Sequence, residues 1–202
     1  MNRTSSIQLK VSAVCGVLAP TIAFACILLS IAFYPQFTWF NNALSDLGVV
    51  EGVTSVLFNL GLIISGFSAL IFGLGLLVSF RDKALGITGA LLFMIDALAL
   101  ALIGVFNENL KPMHYYFSVI FFMLYPVSIL VLCSEYLLSK RMKMGLFTFA
   151  TAAFAGTVWA VQFTFKPFPG VAIPETLSAL AASTWAVVVS VKTFKQSSHG
   201  KG

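Results

Sequence analysis

Long apolar runs separated by short polar segments dominate the chain. A helix of roughly 20 apolar residues crosses the hydrocarbon core of a bilayer. Six runs reach that length, and none alternates apolar and polar positions as a membrane β-barrel strand does. Because backbone groups in lipid must be hydrogen-bonded internally, each run is predicted to be a helix. The predicted spans are 11–33, 55–80, 84–106, 114–138, 144–165 and 174–194.

These spans predict an all-α polytopic integral membrane protein in which residues 1–202 form a single six-span domain. The first span is longer than the apolar core of a signal peptide, so we expect it to be retained. Composition agrees, because 59% of residues are hydrophobic, only 9% are charged and the mean hydropathy is +0.97. A soluble domain carries about 25% charged residues. A soluble enzyme, a disordered chain and a nucleic-acid-binding protein are therefore disfavoured.

The net charge of +5 is explained by membrane topology. The loops at one end of the predicted bundle contain only two basic residues, Lys111 and Lys166. By the positive-inside rule, the other end and both termini are expected in the cytoplasm of a multi-pass protein of the cell membrane. Anionic lipid headgroups are the natural neighbours of that end. Its basic residues are Arg3, Lys10, Arg81, Lys83, Lys140, Arg141, Lys143, Lys192, Lys195 and Lys201.

The longest outer loop, residues 34–53, follows the first span. It begins with aromatic residues, which are typical of the membrane interface. Asn41 and Gly48 then bracket one predicted helical turn, in keeping with capping preferences. We expect this turn to lie flat at the surface, because it is too polar to sink, and to present Ser45 and Asp46 at the mouth of the bundle.

Short motifs in three places resemble the domain-of-unknown-function family 998, whose members are small multi-span membrane proteins of archaea and bacteria. Ser45-Asp46-Leu47-Gly48 follows the first span, Phe58-Asn59 precedes Gly61 and Gly66 in the second, and His114 opens the fourth. The resemblance covers nearly the whole chain. It implies a six-span bundle and directs attention to Ser45, Asp46, Asn59 and His114, but it implies no chemistry.

Asp96 lies close to the middle of the third span. An ionisable residue there is costly, so it is expected to face the bundle interior and is a candidate functional group. Helical periodicity places Gly89 and Asn107 on the same face. One interpretation is a structural tie, in which the carboxyl is hydrogen-bonded to a neighbouring Ser, Thr or Tyr. The other is a functional carboxyl that contacts a ligand.

Other polar residues also have a structural and a functional interpretation. Asn59 suits an interhelical hydrogen bond, and Glu175 suits the first turn of a helix that Pro174 starts. His114 suits either the interface or a ligand site, and it shares a helical face with Ser118 and Tyr125. The predicted outer end collects Ser45, Asp46, Asn59, Asn107, Glu108, His114, Gln162 and Glu175. If the helices close into a ring, these groups could converge on a cavity.

Three functions remain open on this pattern, and whether the protein is an enzyme is left undecided. The first is binding or transport of a small solute or lipid through the polar cluster, with Asp96 below it. The second is an intramembrane hydrolase or transferase in which Ser45, Asp46 and His114 are the catalytic candidates, as nucleophile, orienting acid and base. The third is a structural membrane subunit with no small-molecule site.

No cofactor or metal is predicted. Zinc in a catalytic site needs three protein ligands, and His114 and Asp46 with Glu108 or Glu175 would be an unusual set. Cys15, Cys26 and Cys133 lie within spans and are expected to pack as small apolar residues rather than to form disulfides. The expected partners are the lipid bilayer and a small solute or lipid, with no nucleic acid. The sequence leaves the oligomeric state open.

Overall fold

The computed structural model describes residues 3–199. Lys201, which the sequence assigns to the basic end, lies outside these residues, as do the side chains of Arg3 and His199. The described part of the chain is helical and contains no strand. Its six long helices are α1 Arg3–Ala32, α2 Val53–Ser79, α3 Ala84–Val105, α4 Met113–Leu138, α5 Met142–Phe165 and α6 Ala172–His199.

Each predicted span coincides with one helix, and all six helices are long and apolar enough to cross a membrane. The protein is therefore a multi-pass membrane protein. Helix α6 begins at Ala172, so Pro174 is not the first helical residue as predicted. It still lies in the first turn, where the missing N–H has no intrahelical partner to lose. Helix α4 continues through Pro126.

The six helices form a closed ring in chain order. Each helix packs against the next one along the chain, and α6 packs against α1. Successive helices run in opposite directions, so the connections gather at two ends. We call the end with segments 33–52, 106–112 and 166–171 the acidic end, and the end with segments 80–83 and 139–141 the basic end.

Small residues let the helices of the ring approach closely. A Cβ atom at Gly66 of α2 would lie only 2.5 Å from the backbone nitrogen of Ala101 on α3. Gly61 of α2 meets Cys26 of α1 in the same way. Glycines in α2 thus allow neighbouring helices to approach closely. Cys133 is buried while Cys15 and Cys26 are half-buried, and all three are free thiols.

An aromatic cluster fills the ring toward its basic end. The rings of Phe72 and Phe93 meet edge to face with centroids 5.6 Å apart, and Trp185 of α6 packs 5.6 Å from Phe93 and 6.1 Å from Phe72. Trp185 is fully buried and donates its indole N–H to the Thr148 hydroxyl at 3.1 Å. Such a satisfied indole can occupy an apolar interior without an unpaired donor. Large apolar side chains on the outside of the ring, such as Leu60 and Phe67, are half exposed and suit contact with lipid.

Candidate functional site

A short 3₁₀ helix closes the acidic end of the ring. It spans Leu44–Val49, and we call it the cap helix. The prediction that this segment stays at the surface is wrong, because Leu44, Ser45, Leu47 and Gly48 are buried. Leu47 is fully buried in a cluster of apolar residues contributed by α1, α2 and α3. Burial of Leu44 and Leu47 stabilises this position of the segment, since each buried leucine contributes about 1.5–3 kcal/mol. This gain outweighs the cost of bringing the polar groups of the segment close to the bundle interior.

Two side chains satisfy the buried backbone of the cap helix. The carboxylate of Glu175, on the first turn of α6, accepts a hydrogen bond from the Leu44 amide at 2.7 Å. Asn59 of α2 donates its side-chain amide to the Gly48 carbonyl at 2.9 Å. Glu175 is thus in the first turn of a helix as predicted, but its partner is the cap helix. Asn59 forms the predicted interhelical bond to the cap helix, and its Oδ1 atom has no partner.

Asp46 faces the connecting loops. It accepts hydrogen bonds from the Asn42 side chain at 2.7 Å and from the Ala43 amide at 3.0 Å. The latter bond starts the cap helix in the manner of a capping box, so the helix begins three residues after the predicted Asn41. The Asn42 carbonyl also accepts the amides of Val171 and Ala172.

Gln162, near the end of α5, organises the turn between α5 and α6. Its side-chain amide donates to the Phe168 carbonyl at 2.9 Å and to the Gly170 carbonyl at 3.4 Å. The Gly170 amide in turn donates to the Phe40 carbonyl at 2.7 Å. A Cβ atom at Gly170 would overlap the Asn42 carbonyl oxygen, so only glycine allows this approach of two backbones. Gln162 therefore holds a loop that packs on the segment before the cap helix.

Ser45 and Glu108 are brought together from distant parts of the chain. The Ser45 hydroxyl donates to the Glu108 carboxylate at 3.1 Å, which ties the cap helix to the loop between α3 and α4. Asp46 and Glu108 both lie close enough to Glu175 for their negative charges to act on it. The acidic end thus gathers three acidic side chains around the cap helix.

His114 is buried at the start of α4, and its imidazole contacts residues close to it in the sequence. Its Nδ1 atom lies 2.7 Å from the Phe106 carbonyl oxygen, which can only accept, so Nδ1 carries a proton. Its Nε2 atom lies 3.4 Å from the Ser118 hydroxyl one turn along the helix. These contacts anchor the loop between α3 and α4. A hydrolase would need the imidazole within about 3 Å of Ser45 or Asp46, and no hydrogen bond within residues 3–199 joins His114 to either.

Asn107 does not share the helical face of Asp96. Helix α3 ends at Val105, so helical periodicity no longer applies two residues later. The Asn107 side chain instead accepts the Asn109 amide at 3.2 Å and stabilises the turn. Among residues 3–199, no group of three His, Cys, Asp or Glu side chains is placed to hold a metal ion.

A cavity of about 120 Å³ lies inside the ring between the cap helix and the aromatic cluster. Leu44, Ser45 and Glu175 line its upper part, and Phe93 and Asp96 line its lower part. Its walls are mainly apolar and aromatic, with the rings of Phe24, Phe58, Phe121 and Phe122 among them. Asp96 and Glu175 are its only ionisable acids, and no Lys, Arg or His of the described chain lines it. A concave, mainly apolar space with a few convergent polar groups is the usual form of a small-molecule site.

Asp96 is the polar group of this cavity that no protein atom satisfies. It is 3% exposed, which confirms that it faces the bundle interior. Its Oδ1 atom is buried and has no hydrogen-bond partner. The structural interpretation of Asp96 required a hydrogen bond to a neighbouring Ser, Thr or Tyr. No such bond forms within residues 3–199. A buried polar atom left unpaired costs about 1–3 kcal/mol.

Tyr125 of α4 places a second polar group near Asp96. Its hydroxyl is buried and lies close to both the Thr151 side chain and Asp96, and it forms no hydrogen bond of normal geometry. Ser118 and Tyr125 both line the cavity, which agrees with the predicted polar face of the fourth span. Ser183 and the aromatic wall were missed, because nothing in a continuous apolar span marks the positions that face an internal cavity.

A family model described as "Protein of unknown function (DUF998)" matches residues 17–192. The chain belongs to this family, as its resemblance in the cap helix, the second span and His114 indicated. Neither a curated protein nor a solved structure matches the chain significantly.

Proposed function

We propose that this member of the DUF998 family binds a small apolar amine in the cavity beneath the cap helix. The single observation that carries the proposal is the Asp96 carboxyl, which lines the cavity and whose buried Oδ1 atom has no protein partner. A ligand that donates a hydrogen bond to Asp96 would remove the cost of leaving this group unpaired. The same site would hold the solute during transport, if the protein moves its ligand across the membrane.

The charge and shape of the cavity favour an amine over other small molecules. Both carboxyl groups in the wall can accept a hydrogen bond from an amino group, and an ionised carboxyl there would attract an ammonium group and repel a carboxylate. Aromatic rings such as Phe93 and Phe122 can contact a cation through their faces. The volume of about 120 Å³ is comparable to an apolar cavity of about 150 Å³ that holds benzene. A ligand with one aromatic ring and one amino group suits these dimensions.

Binding of three matched probes tests the proposal. Benzylamine, toluene and benzoate share a ring and differ in the charge of the substituent. Isothermal titration in phosphatidylcholine nanodiscs should show that benzylamine binds at least about tenfold more tightly than the other two, as expected for one charge-assisted hydrogen bond. Asp96→Asn should weaken benzylamine binding by about tenfold to a hundredfold. Glu51→Gln, which changes an exposed acid outside the cavity, is the matched control and should bind like the wild type.

Equal affinity for toluene and benzylamine would contradict the amine class. Benzylamine binding that Asp96→Asn leaves unchanged would show that the probe only enters the lipid or another site. The hydrolase or transferase alternative is not proposed, because the Ser45 hydroxyl is held by Glu108 rather than by an imidazole. The scaffold alternative would have every buried polar group paired, which Asp96 is not.

We also propose that both termini lie in the cytoplasm. The support is the unequal distribution of basic residues, since Lys111 and Lys166 are the only Lys or Arg residues in the loops of the acidic end. In a variant without the three native cysteines, an impermeant maleimide added outside intact cells should label a cysteine at Asn109 and not one at Lys140. The reverse labelling pattern would overturn the orientation while leaving the bundle itself unaffected.

A further inference from the structure

A second depression opens at the basic end of the bundle, and we call it the basic groove. It has a volume of about 630 Å³, and none of the described residues lines both it and the cavity beneath the cap helix. We propose that the basic groove binds the phosphate group of an anionic ligand, with the headgroup of a phospholipid as the favoured source. Its basic lining residues are Lys140, Arg141, Lys143, Lys192 and Lys195.

The positive charges of the groove converge from two parts of the chain. Three come from the turn between α4 and α5 and from the first residues of α5, and two come from the end of α6. Within residues 3–199, no Asp or Glu lines the groove. The nearby acids of this end have other partners, since Asp82 pairs with Arg81 at 3.2 Å and Glu135 accepts the Ser139 hydroxyl at 2.6 Å. A ligand with two negative charges would complement this surface.

The backbone turn between α4 and α5 places its basic side chains at one wall. Lys140 has a left-handed backbone conformation with φ of 57°, and the Arg141 amide donates back to the Tyr136 carbonyl at 2.8 Å. This tight reversal lets α5 begin at Met142, directly beside the groove. The first amides of a helix have no intrahelical acceptor and attract anions. The start of α5 therefore adds to the attraction of the five basic side chains.

The floor of the groove is apolar, which favours a lipid over free phosphate. Leu76, Phe80, Tyr136 and Val189 contribute to it, and Phe80 and Tyr136 pack edge to face with centroids 5.5 Å apart. A phospholipid presents a phosphate beside an apolar glycerol and acyl region. Basic pockets between membrane helices recognise anionic headgroups in this way. Inorganic phosphate would use only the basic rim.

Native mass spectrometry and thermal unfolding of the full chain test this proposal. The purified protein is compared with dioleoyl phosphatidic acid, dioleoyl phosphatidylcholine and inorganic phosphate as separate probes. The test variant is Arg141→Gln with Lys192→Gln, which removes two groove charges. The matched control is Arg81→Gln with Lys83→Gln, which removes two exposed charges at the same end that do not line the groove.

The wild type and the control should retain phosphatidic acid at least about tenfold better than phosphatidylcholine, and the groove variant should lose this preference, at roughly 1 kcal/mol per removed charge. Stabilisation by inorganic phosphate with the same dependence on the groove residues would also support the site and would identify free phosphate as the source. Equal losses in both double variants would contradict the proposal, because they would reflect general surface charge. Absence of binding by all three probes would contradict it too.

Discussion

At the residue scale, the burial of Asp96 could be predicted from the sequence, but its hydrogen-bonding partners could not. Its position within a span predicted burial, because a carboxyl facing lipid is costly. Its lack of a partner could not be predicted, since that depends on which side chains of the other helices reach it. The same limit applies to His114, whose contacts are the nearby Phe106 carbonyl and Ser118, whereas the catalytic hypothesis required Ser45 or Asp46 beside it.

Asp96→Leu should leave the ligand-free protein at least as stable as the wild type. The unpaired Oδ1 atom disappears, and the adjacent cavity has room for the larger side chain. Replacing a buried polar group by an apolar one is often neutral or stabilising. The free energy of unfolding in detergent, measured for wild type, Asp96→Asn and Asp96→Leu, checks this. A loss of more than about 2 kcal/mol in Asp96→Leu alone would mean that the carboxyl has a partner after all.

Glu175→Ala should destabilise the protein by about 1–3 kcal/mol, because the buried Leu44 amide loses its acceptor. Hydrogen exchange at Leu44 should accelerate in the same variant. Glu175→Gln keeps one acceptor oxygen and should lose less stability. Glu51→Ala, at an exposed position of the same end, serves as the control. Unchanged exchange at Leu44 in Glu175→Ala would show that another group holds the cap helix.

At the element scale, the helices were predictable and the cap helix was only partly so. Long apolar runs define a membrane helix almost by themselves, and the six spans match the six helices to within a few residues except where α1 and α6 extend further at the chain ends. The segment before α2 was correctly expected to contain a short helix. Its depth was misjudged, because acceptors and donors that neutralise its backbone come from Glu175 and Asn59, which are remote in sequence.

Gly66→Ala should separate α2 from α3 and destabilise the protein by about 1–3 kcal/mol, the usual cost of overpacking. The added Cβ atom would meet the backbone of Ala101, which cannot rotate away. Gly156→Ala is a matched control on α5, because a Cβ atom there meets nothing within 4 Å. Thermal unfolding of the two variants checks the difference. Equal stability of both would mean that the α2–α3 contact is looser than the close approach indicates.

At the scale of the whole molecule, closure of the ring determines what the polar groups can do. Contact between α1 and α6 completes the ring around the cavity, and the sequence of two apolar helices does not predict that they pack together. The position of the acids at one end was visible in the sequence, whereas the cavity lined by both Ser45 and Asp96 required the assembled ring. The aromatic cluster of Phe72, Phe93 and Trp185 lies between this cavity and the basic end.

Anomalous diffraction from crystals soaked with 4-bromobenzylamine tests whether Asp96 binds an amine, because the bromine locates the ligand independently of any binding curve. We expect a bromine peak inside the cavity, with the amino group next to Asp96 and the ring against the aromatic wall. The same soak of Asp96→Asn crystals should give a much weaker peak. A wild-type cavity without bromine, or a peak of equal height in the variant, would contradict the assignment of Asp96 as the ligand-binding carboxyl.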